Sequence, residues 1–172
     1  ARLQTGGVTL NRQWQAIEET IGSSIYACQQ SLTAHIIRTD VPSDLPLVFF
    51  DAVLIERVLC NLLENACKYT PAQSIITVSA RVHEKHLIVT VSDNGSGLAV
   101  GMEKQIFTKF TRGDKESTQT GVGLGLAICQ AIIEAHHGNI KATNIDTGGA
   151  CFTFTLPASE PPPLTAEEPE DP

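Results

Sequence analysis

Asn61-Leu62-Leu63-Glu64-Asn65-Ala66-Cys67-Lys68-Tyr69 sets two amides and a lysine, at 61, 65 and 68, inside an otherwise apolar helical pattern. Spacings of four and three residues bring those three side chains to one helix face. Asparagine is a poor helix former, because its amide competes for backbone hydrogen bonds. The pattern predicts a helix from Ala52 to Tyr69, capped by Asp51. At about 100° per residue it sorts into two arcs. Ile55, Val58, Leu59, Leu62, Leu63 and Ala66 share one, and Arg57, Asn61, Glu64, Asn65 and Lys68 share the other. For the charged residues alone, solvation is a sufficient explanation. Two interior asparagines beside a cation suit a magnesium-bound polyphosphate instead.

Around this helix the chain alternates short strands and helices. Val8-Thr9-Leu10 reads as a strand. Asn11 can cap a helix from Arg12 to Leu32, with Trp14, Ile17, Ile21, Ile25, Cys28 and Leu32 recurring every three or four positions. Ile36-Ile37 and Leu47–Phe50 are strand-like, split by the Pro42–Pro46 turn. Residues 75–82 and 87–92 have strand composition, joined at His83–His86 as a hairpin. Residues 93–123 carry six glycines, a long connection of the functional or disordered kind, with a short helix over Glu103–Lys109. A further helix runs from Leu124 or Gly125 to His137, stopped by Gly138. Residues 140–143 and 151–156 close the pattern as strands around a Gly148-Gly149 turn. Strands outnumber helices and come partly as hairpins. This predicts the α+β class, a two-layer sandwich with a mixed sheet covered on one face by about three helices, rather than a doubly wound parallel sheet.

The 172 residues and 42% hydrophobic content fit one domain with a sizeable core. Of the net charge of −7, residues 158–172 supply −5 through Glu160, Glu167, Glu168, Glu170 and Asp171, so the body carries only −2. A near-neutral body gives no reason to expect a nucleic-acid partner. The expected division is a folded domain over 1–157 and an acidic, Pro-rich, disordered tail over 158–172. Five cysteines without paired CxxC spacing argue against a disulfide framework or structural zinc, and suggest reduced thiols. No apolar run approaches the roughly 20 residues of a membrane span. A first residue other than Met suggests a fragment or processed chain.

Three further segments carry chemistry. Asp93-Asn94-Gly95-Ser96-Gly97 follows a strand; a carboxylate there can accept from an exocyclic amine such as the adenine N6, and the glycines let backbone approach a flat ring. The plain alternative is an Asx turn. Gly121-Val122-Gly123-Leu124-Gly125 leads into a helix, where free N–H groups and the positive dipole end favour phosphate; the plain alternative is a hinge. No GK[ST] follows, so it is not a Walker A loop, and no βαβ unit surrounds it as a Rossmann fingerprint requires. Phe107 and Phe110 read as a small hydrophobic anchor, with Arg112 placed to close on a terminal phosphate.

In this order and spacing the segments resemble the catalytic, ATP-binding domain of sensor histidine kinases, over roughly residues 6–157. Asn61–Tyr69 is similar to the N box, Asp93–Gly97 to G1, Phe107–Arg112 to the F box, Gly121–Gly125 to G2 and Gly148-Gly149 to the last glycine box. The resemblance implies the Bergerat fold shared with gyrase, the Hsp90 chaperone and MutL. The wording of residues 110–117, 121–129 and 148–157 is most similar to the potassium- and turgor-responsive branch. Carried over by position, the resemblance implies that Asn65 ligates Mg²⁺ bridging the phosphates of ATP, with Asn61 close by. Lys68 would contact phosphate, and Tyr69 would lie near the adenine or ribose. Asp93 would select adenine with Gly95 and Gly97, and Arg112 would approach the γ-phosphate. Gly121, Gly123, Leu124 and Gly125 would cradle the phosphates, and residues 96–120 would form a mobile lid. Asn61, Asn65, Lys68 and Arg112 are thus the expected catalytic set. The chain departs from the pattern at Ser96, where the family often has Pro, and at Ala150, where it often has Thr or Ser. The second departure removes a hydroxyl beside adenine and predicts weaker binding.

The same resemblance implies transfer to a histidine on a separate dimerisation and phosphoacceptor domain. His35, His83, His86, His136 and His137 all lack the H-box context, so the acceptor is expected elsewhere. The chain alone is expected to bind ATP without phosphorylating itself. The other implied partner is a downstream response regulator. The implied setting is the cytoplasmic side of a bacterial inner-membrane sensor, without membrane contact by this segment and as a monomer in isolation. Hydrolytic relatives of the gyrase–Hsp90 type place a Glu general base one turn before the magnesium-binding Asn. Here that position is Asn61, which cannot take a proton from water. Hydrolysis, or a degenerate nucleotide-sensing module, are the alternatives to transfer.

Overall fold

The computed structural model describes residues 2–5, 8–107 and 122–159. Nine strands and four α-helices fall within them: β1 Arg2–Thr5, β2 Val8–Asn11, β3 Gln13–Gln15, α1 Ile17–Ala27, β4 Ile36–Asp40, β5 Val48–Phe50, α2 Ala52–Lys68, β6 Ile75–His83, β7 His86–Asp93, α3 Met102–Gln105, α4 Val122–Ala135, β8 Asn139–Asn144 and β9 Ala150–Pro157. A 3₁₀ turn, Gln29–Leu32, follows α1.

Five strands form the main sheet in the order β4-β6-β7-β9-β8. β4 runs parallel to β6, with β5 and α2 as the connection, and every other neighbour is antiparallel. The sheet is mixed, as expected. Its register follows from period-two alternation in the sequence. Val78 pairs with Val91, Val91 with Phe152, and Phe152 with Ala142, so one apolar row crosses four strands. Val89 with Phe154 and Ile140 gives a second row. All of these side chains are buried. The alternate residues, Thr77, Ser79, Thr90, Ser92 and Thr153, are half-buried on the opposite face. The helical layer covers the apolar face, with α2 against α1 on one side and α4 on the other. Removing a core side chain such as Phe154 or Leu62 from water contributes about 1.5–3 kcal/mol, which is why the alternation decides the register.

α2 forms as expected. Asp51 caps it, its Oδ1 accepting from the Leu54 N–H at 3.1 Å. Ile55, Val58, Leu59, Leu62, Leu63 and Ala66 are buried. Glu64 and Lys68 are exposed, and Asn61 and Asn65 are half-buried between the two arcs.

The N-terminal helix differs from the expectation of Arg12–Leu32. Gln13–Gln15 is a strand paired antiparallel with Val48–Phe50. Trp14 stacks on Phe49 at 5.2 Å between ring centroids, and the Arg12 guanidinium lies 5.1 Å from that ring. α1 begins at Ile17 with Ala16 as its N-cap. Asn11 does not cap a helix; its backbone N–H donates to Asp51 Oδ2 at 2.8 Å. Trp14 sits three residues before Ile17, so the helical period extends through it by coincidence.

The helix end near 137 also differs. His137, not Gly138, takes the left-handed conformation, with φ 66°. Its N–H donates to Glu134 O and that of Gly138 to Ile133 O, both at 2.9 Å, a Schellman closure. Gly138 is required for another reason: a Cβ there would stand 1.9 Å from the Thr155 carbonyl oxygen. The short third helix is Met102–Gln105 rather than Glu103–Lys109. Ala158, assigned to the tail, still donates its N–H to Lys85 O at 2.9 Å; the rest of the tail, from residue 160, lies outside the described residues.

Candidate nucleotide site

The C-terminal end of α2, the loop after β7 and the β8–β9 turn converge, and the first turn of α4 meets α2 at Asn61. Asp93, the last residue of β7, is buried to 9% exposure. Its Oδ1 accepts from Gly95 N–H at 2.9 Å and from Ala150 N–H at 3.2 Å. The first bond is the Asx turn that the sequence allowed. The second fixes the carboxylate against the first residue of β9. Among the described residues both bonds go to Oδ1, which leaves Oδ2 for another donor.

Three glycines set the approach distances. A Cβ on Gly95 would lie 2.7 Å from Thr70 Cγ2, and one on Gly149 would lie 1.8 Å from the Asp93 carbonyl oxygen. Gly97 has φ 88°, and a Cβ there would meet Asn144 Oδ1 at 2.6 Å. Asn144 brackets the next residue: its Oδ1 accepts from Leu98 N–H at 2.6 Å and its Nδ2 donates to Leu98 O at 3.2 Å. Asn94 Oδ1 accepts from Ile75 N–H at 2.8 Å and ties the loop to β6. The loop is therefore held on three sides by β6, β8 and β9.

Thr70 carries this wall to α2. Its hydroxyl donates to Ala66 O at 2.7 Å and lies 2.9 Å from His35 Nε2. Tyr69, at the helix C-cap, is 39% exposed beside it. Lys68 is exposed in the last turn. On the α4 side, Asn61 lies against Gly125, whose Cβ position would be 3.7 Å from the amide Cγ and Oδ1. One turn further along α4, the buried Cys129 thiol donates to Val58 O at 3.8 Å. Burial pushes the Cys129 thiol up to about 12, with Asn61 and Arg57 opposing the shift. A thiol so placed is a neutral packing group.

The glycine-rich run does not end before the helix. α4 starts at Val122, so Gly123, Leu124 and Gly125 occupy its first turn, earlier than the expected start at 124 or 125. First-turn N–H groups have no acceptor within a helix and, with the dipole, attract anions. Gly121 and Arg112 lie outside the described residues, as does most of the expected lid. Phe107 is buried against Phe152, edge to face at 6.0 Å, as an anchor should be.

The structure thus joins Asn61 to the head of α4, and Thr70, Asp93, Gly95, Gly97 and Gly149 to one another, with Tyr69 next to Thr70 in the chain. Sequence reading missed Thr70, Asn144 and the Ala150 N–H. The only signal for them was their neighbourhood to the boxes, since each acts through a contact across the fold.

A sequence profile described as Histidine kinase-, DNA gyrase B-, and HSP90-like ATPase matches residues 50–160. The chain is 48% identical over 164 residues to the sensor protein KdpD of Escherichia coli (strain K12), covering 95% of this chain and 18% of that protein. It therefore spans under a fifth of that relative's length. The fold is similar to the nucleotide-free catalytic domain of the histidine kinase ThkA, with TM-score 0.75, 24% identity, and 86% and 97% of the two chains covered. It is also similar to full-length ShkA in complex with AMPPNP, with TM-score 0.78, 25% identity, and 90% and 32% covered. The profile spans most of the helical and sheet framework that builds the site, and on that match the chain belongs to the histidine kinase-, DNA gyrase B- and HSP90-like ATPase family.

Proposed function

We propose that the chain binds ATP with Mg²⁺ and transfers the γ-phosphoryl group to a histidine on a separate dimerisation and phosphoacceptor domain. The observation that carries this reading is Asp93: a nearly buried carboxylate with Oδ1 held by two backbone N–H groups and Oδ2 left for an exocyclic amine. Gly95 and Gly149 keep the surrounding backbone close enough to wall a flat ring.

The residues present fit a magnesium–polyphosphate. Asn65 offers a neutral amide oxygen, half-buried on α2, of the kind that completes a shell otherwise filled by phosphate oxygens and water. Bound Mg²⁺ supplies charge neutralisation along the phosphates. Asn61 meets Gly125 where α2 approaches the first turn of α4, so its amide orients groups between Asn65 and that helix end. Lys68 adds a cation at the mouth. By the resemblance, Gly121, Gly123, Leu124 and Gly125 would bring backbone N–H groups to the phosphates, and Arg112 would close on the terminal one. Asn61 in place of a carboxylate leaves no base there to activate water, which favours transfer over hydrolysis.

The likeness to ShkA, solved with AMPPNP, supports the nucleotide. The likeness to KdpD supports a potassium- or turgor-responsive sensor with a KdpE-type response regulator, and a cytoplasmic position for this domain in a membrane sensor. ThkA in complex with the response regulator protein TrrA supports the same partner class. The described residues contain no helix long and apolar enough to cross a membrane. The test is to mix this chain, labelled ATP and Mg²⁺ with a purified acceptor domain. Acid-labile phosphohistidine on the acceptor, absent without Mg²⁺, is the expected result. Phosphate release without acceptor labelling would transfer the chain to the hydrolytic class.

A further inference from the structure

α1 and α2 share the apolar core but also meet through small polar groups. Ser23 Oγ donates to Glu56 at 2.7 Å, and Ser24, fully buried, lies one residue further along α1. The Ser24 carbonyl accepts the Cys28 N–H at 3.1 Å. It also accepts the Cys28 thiol at 3.2 Å and the Cys60 thiol, from α2, at 3.5 Å. One oxygen with two lone pairs thus serves three donors. The two sulfurs converge on one oxygen, Cys28 from the C-cap of α1 and Cys60 from α2. All five thiols are free.

Joining these sulfurs would remove two weak S–H donors from an oversubscribed carbonyl and strand no polar group. We propose that Cys28 and Cys60 form a reversible oxidative modification site, closing to an intradomain disulfide between α1 and α2 when met by a peroxide. The Cys28 thiolate attacks the peroxide O–O bond, giving a sulfenic acid and water. The Cys60 sulfur then attacks that sulfenic sulfur, forming the S–S bond and releasing a second water. Two thiols and one hydrogen peroxide give one disulfide and two waters, with both sulfurs oxidised and the peroxide reduced.

The polarity of the pair suits this order. The neighbouring Cys60 thiol draws the Cys28 thiol below its ordinary range, against the opposing effect of burial. The same proximity, with burial, drives Cys60 upward. Cys28 is thus the nucleophile and Cys60 the resolving thiol. Cys28 is buried, whereas Cys60 is half-buried and opens the route by which a small oxidant enters. Cys67, further along α2, makes no hydrogen bond to the pair, and burial raises it to about 11. Closing about 30 residues into a loop stabilises the fold, with a rise in Tm of about 5–10 °C. The neighbour of Cys60 in the chain is Asn61, so the modification is placed on the helix that carries the candidate site.

The test uses the 172-residue chain, oxidised with hydrogen peroxide, its free thiols blocked, then digested without reduction. Cleavage after Glu19, Glu56, Glu64 and Glu84 puts Cys28, Cys60 and Cys67 into separate peptides, 20–56, 57–64 and 65–84. The expected product joins 20–56 to 57–64, is lighter by two hydrogens, and separates with dithiothreitol. Cys67→Ser keeps the join and Cys60→Ser loses it. A join to 65–84, a cross-link between molecules, or oxygen adducts without any join would overturn the proposal, and each is read on the unsubstituted protein.

Discussion

Asp93 divides its carboxylate between structure and recognition. Oδ1 accepts from Gly95 and Ala150, and on the proposed function Oδ2 is the atom that would receive the adenine amine. In Asp93→Asn the amide oxygen can keep the two backbone donors, but an NH₂ then replaces Oδ2 and opposes the exocyclic amine. The expected result is a fall in ATP affinity of about 10–100-fold by calorimetry, from about 1.4–3 kcal/mol of lost charged hydrogen bonding. The melting temperature should stay nearly unchanged; if it collapses with the affinity, Asp93 is structural only. Ala150→Thr probes the other side of the same bond, since Ala150 supplies the N–H and lacks a hydroxyl. A several-fold gain in ATP affinity is expected, and an unchanged binding isotherm would count against that reading. At this scale the acidic residue at a strand end was legible, because it is local. Its partner 57 positions away was not, nor were the Asn144 clamp on Leu98 and the Thr70 contact with Gly95.

At the scale of elements, periodicity located what it is able to locate. α2 and the β6, β7 and β9 strands follow from 3.6- and two-residue patterns that match their burial. The failures occur where the pattern is shared by two causes. Trp14 carries helical spacing but is held in β3 by pairing with β5, a partner more than thirty residues away. Gly138 has the composition of a helix stop but is glycine because of the neighbouring strand, while His137 adopts the left-handed turn. These two residues give opposite outcomes. His137→Gly should stabilise by up to about 1 kcal/mol, since glycine relieves the positive φ. Gly138→Ala should destabilise by about 2–4 kcal/mol, because its methyl meets backbone that cannot yield without moving β9. Urea unfolding midpoints of the two variants decide the matter, and similar small shifts in both would refute the assignment.

Across the whole molecule, one buried node ties elements far apart in the chain. Asp51 caps α2 through Leu54 and holds β2 through the Asn11 N–H. Its own N–H donates to Nε2 of His136 at 3.1 Å, and His136 Nδ1 donates to the Ile132 carbonyl at 2.9 Å. β2, the start of α2 and the end of α4 meet there. Both ring nitrogens are committed to the neutral form, since protonated Nε2 would face the Asp51 N–H as a second donor. Burial lowers the His136 pKa below its ordinary 6.5; the Ile132 carbonyl and Asp51 carboxylate oppose the shift, and Arg12 and His137 add to it. The unfolded chain therefore binds a proton that the folded one refuses. This contribution to stability is complete above about pH 6.5 and declines as the pH falls toward the lowered folded value. The slope from this group reaches at most about 1.4 kcal/mol per pH unit. His136→Gln offers an amide oxygen to the Asp51 N–H and has no proton to gain. Urea unfolding between about pH 8 and pH 5 should show the natural chain losing stability faster than the variant below pH 6.5. Parallel curves would mean that the acid sensitivity belongs to other groups and that the node is only a packing contact.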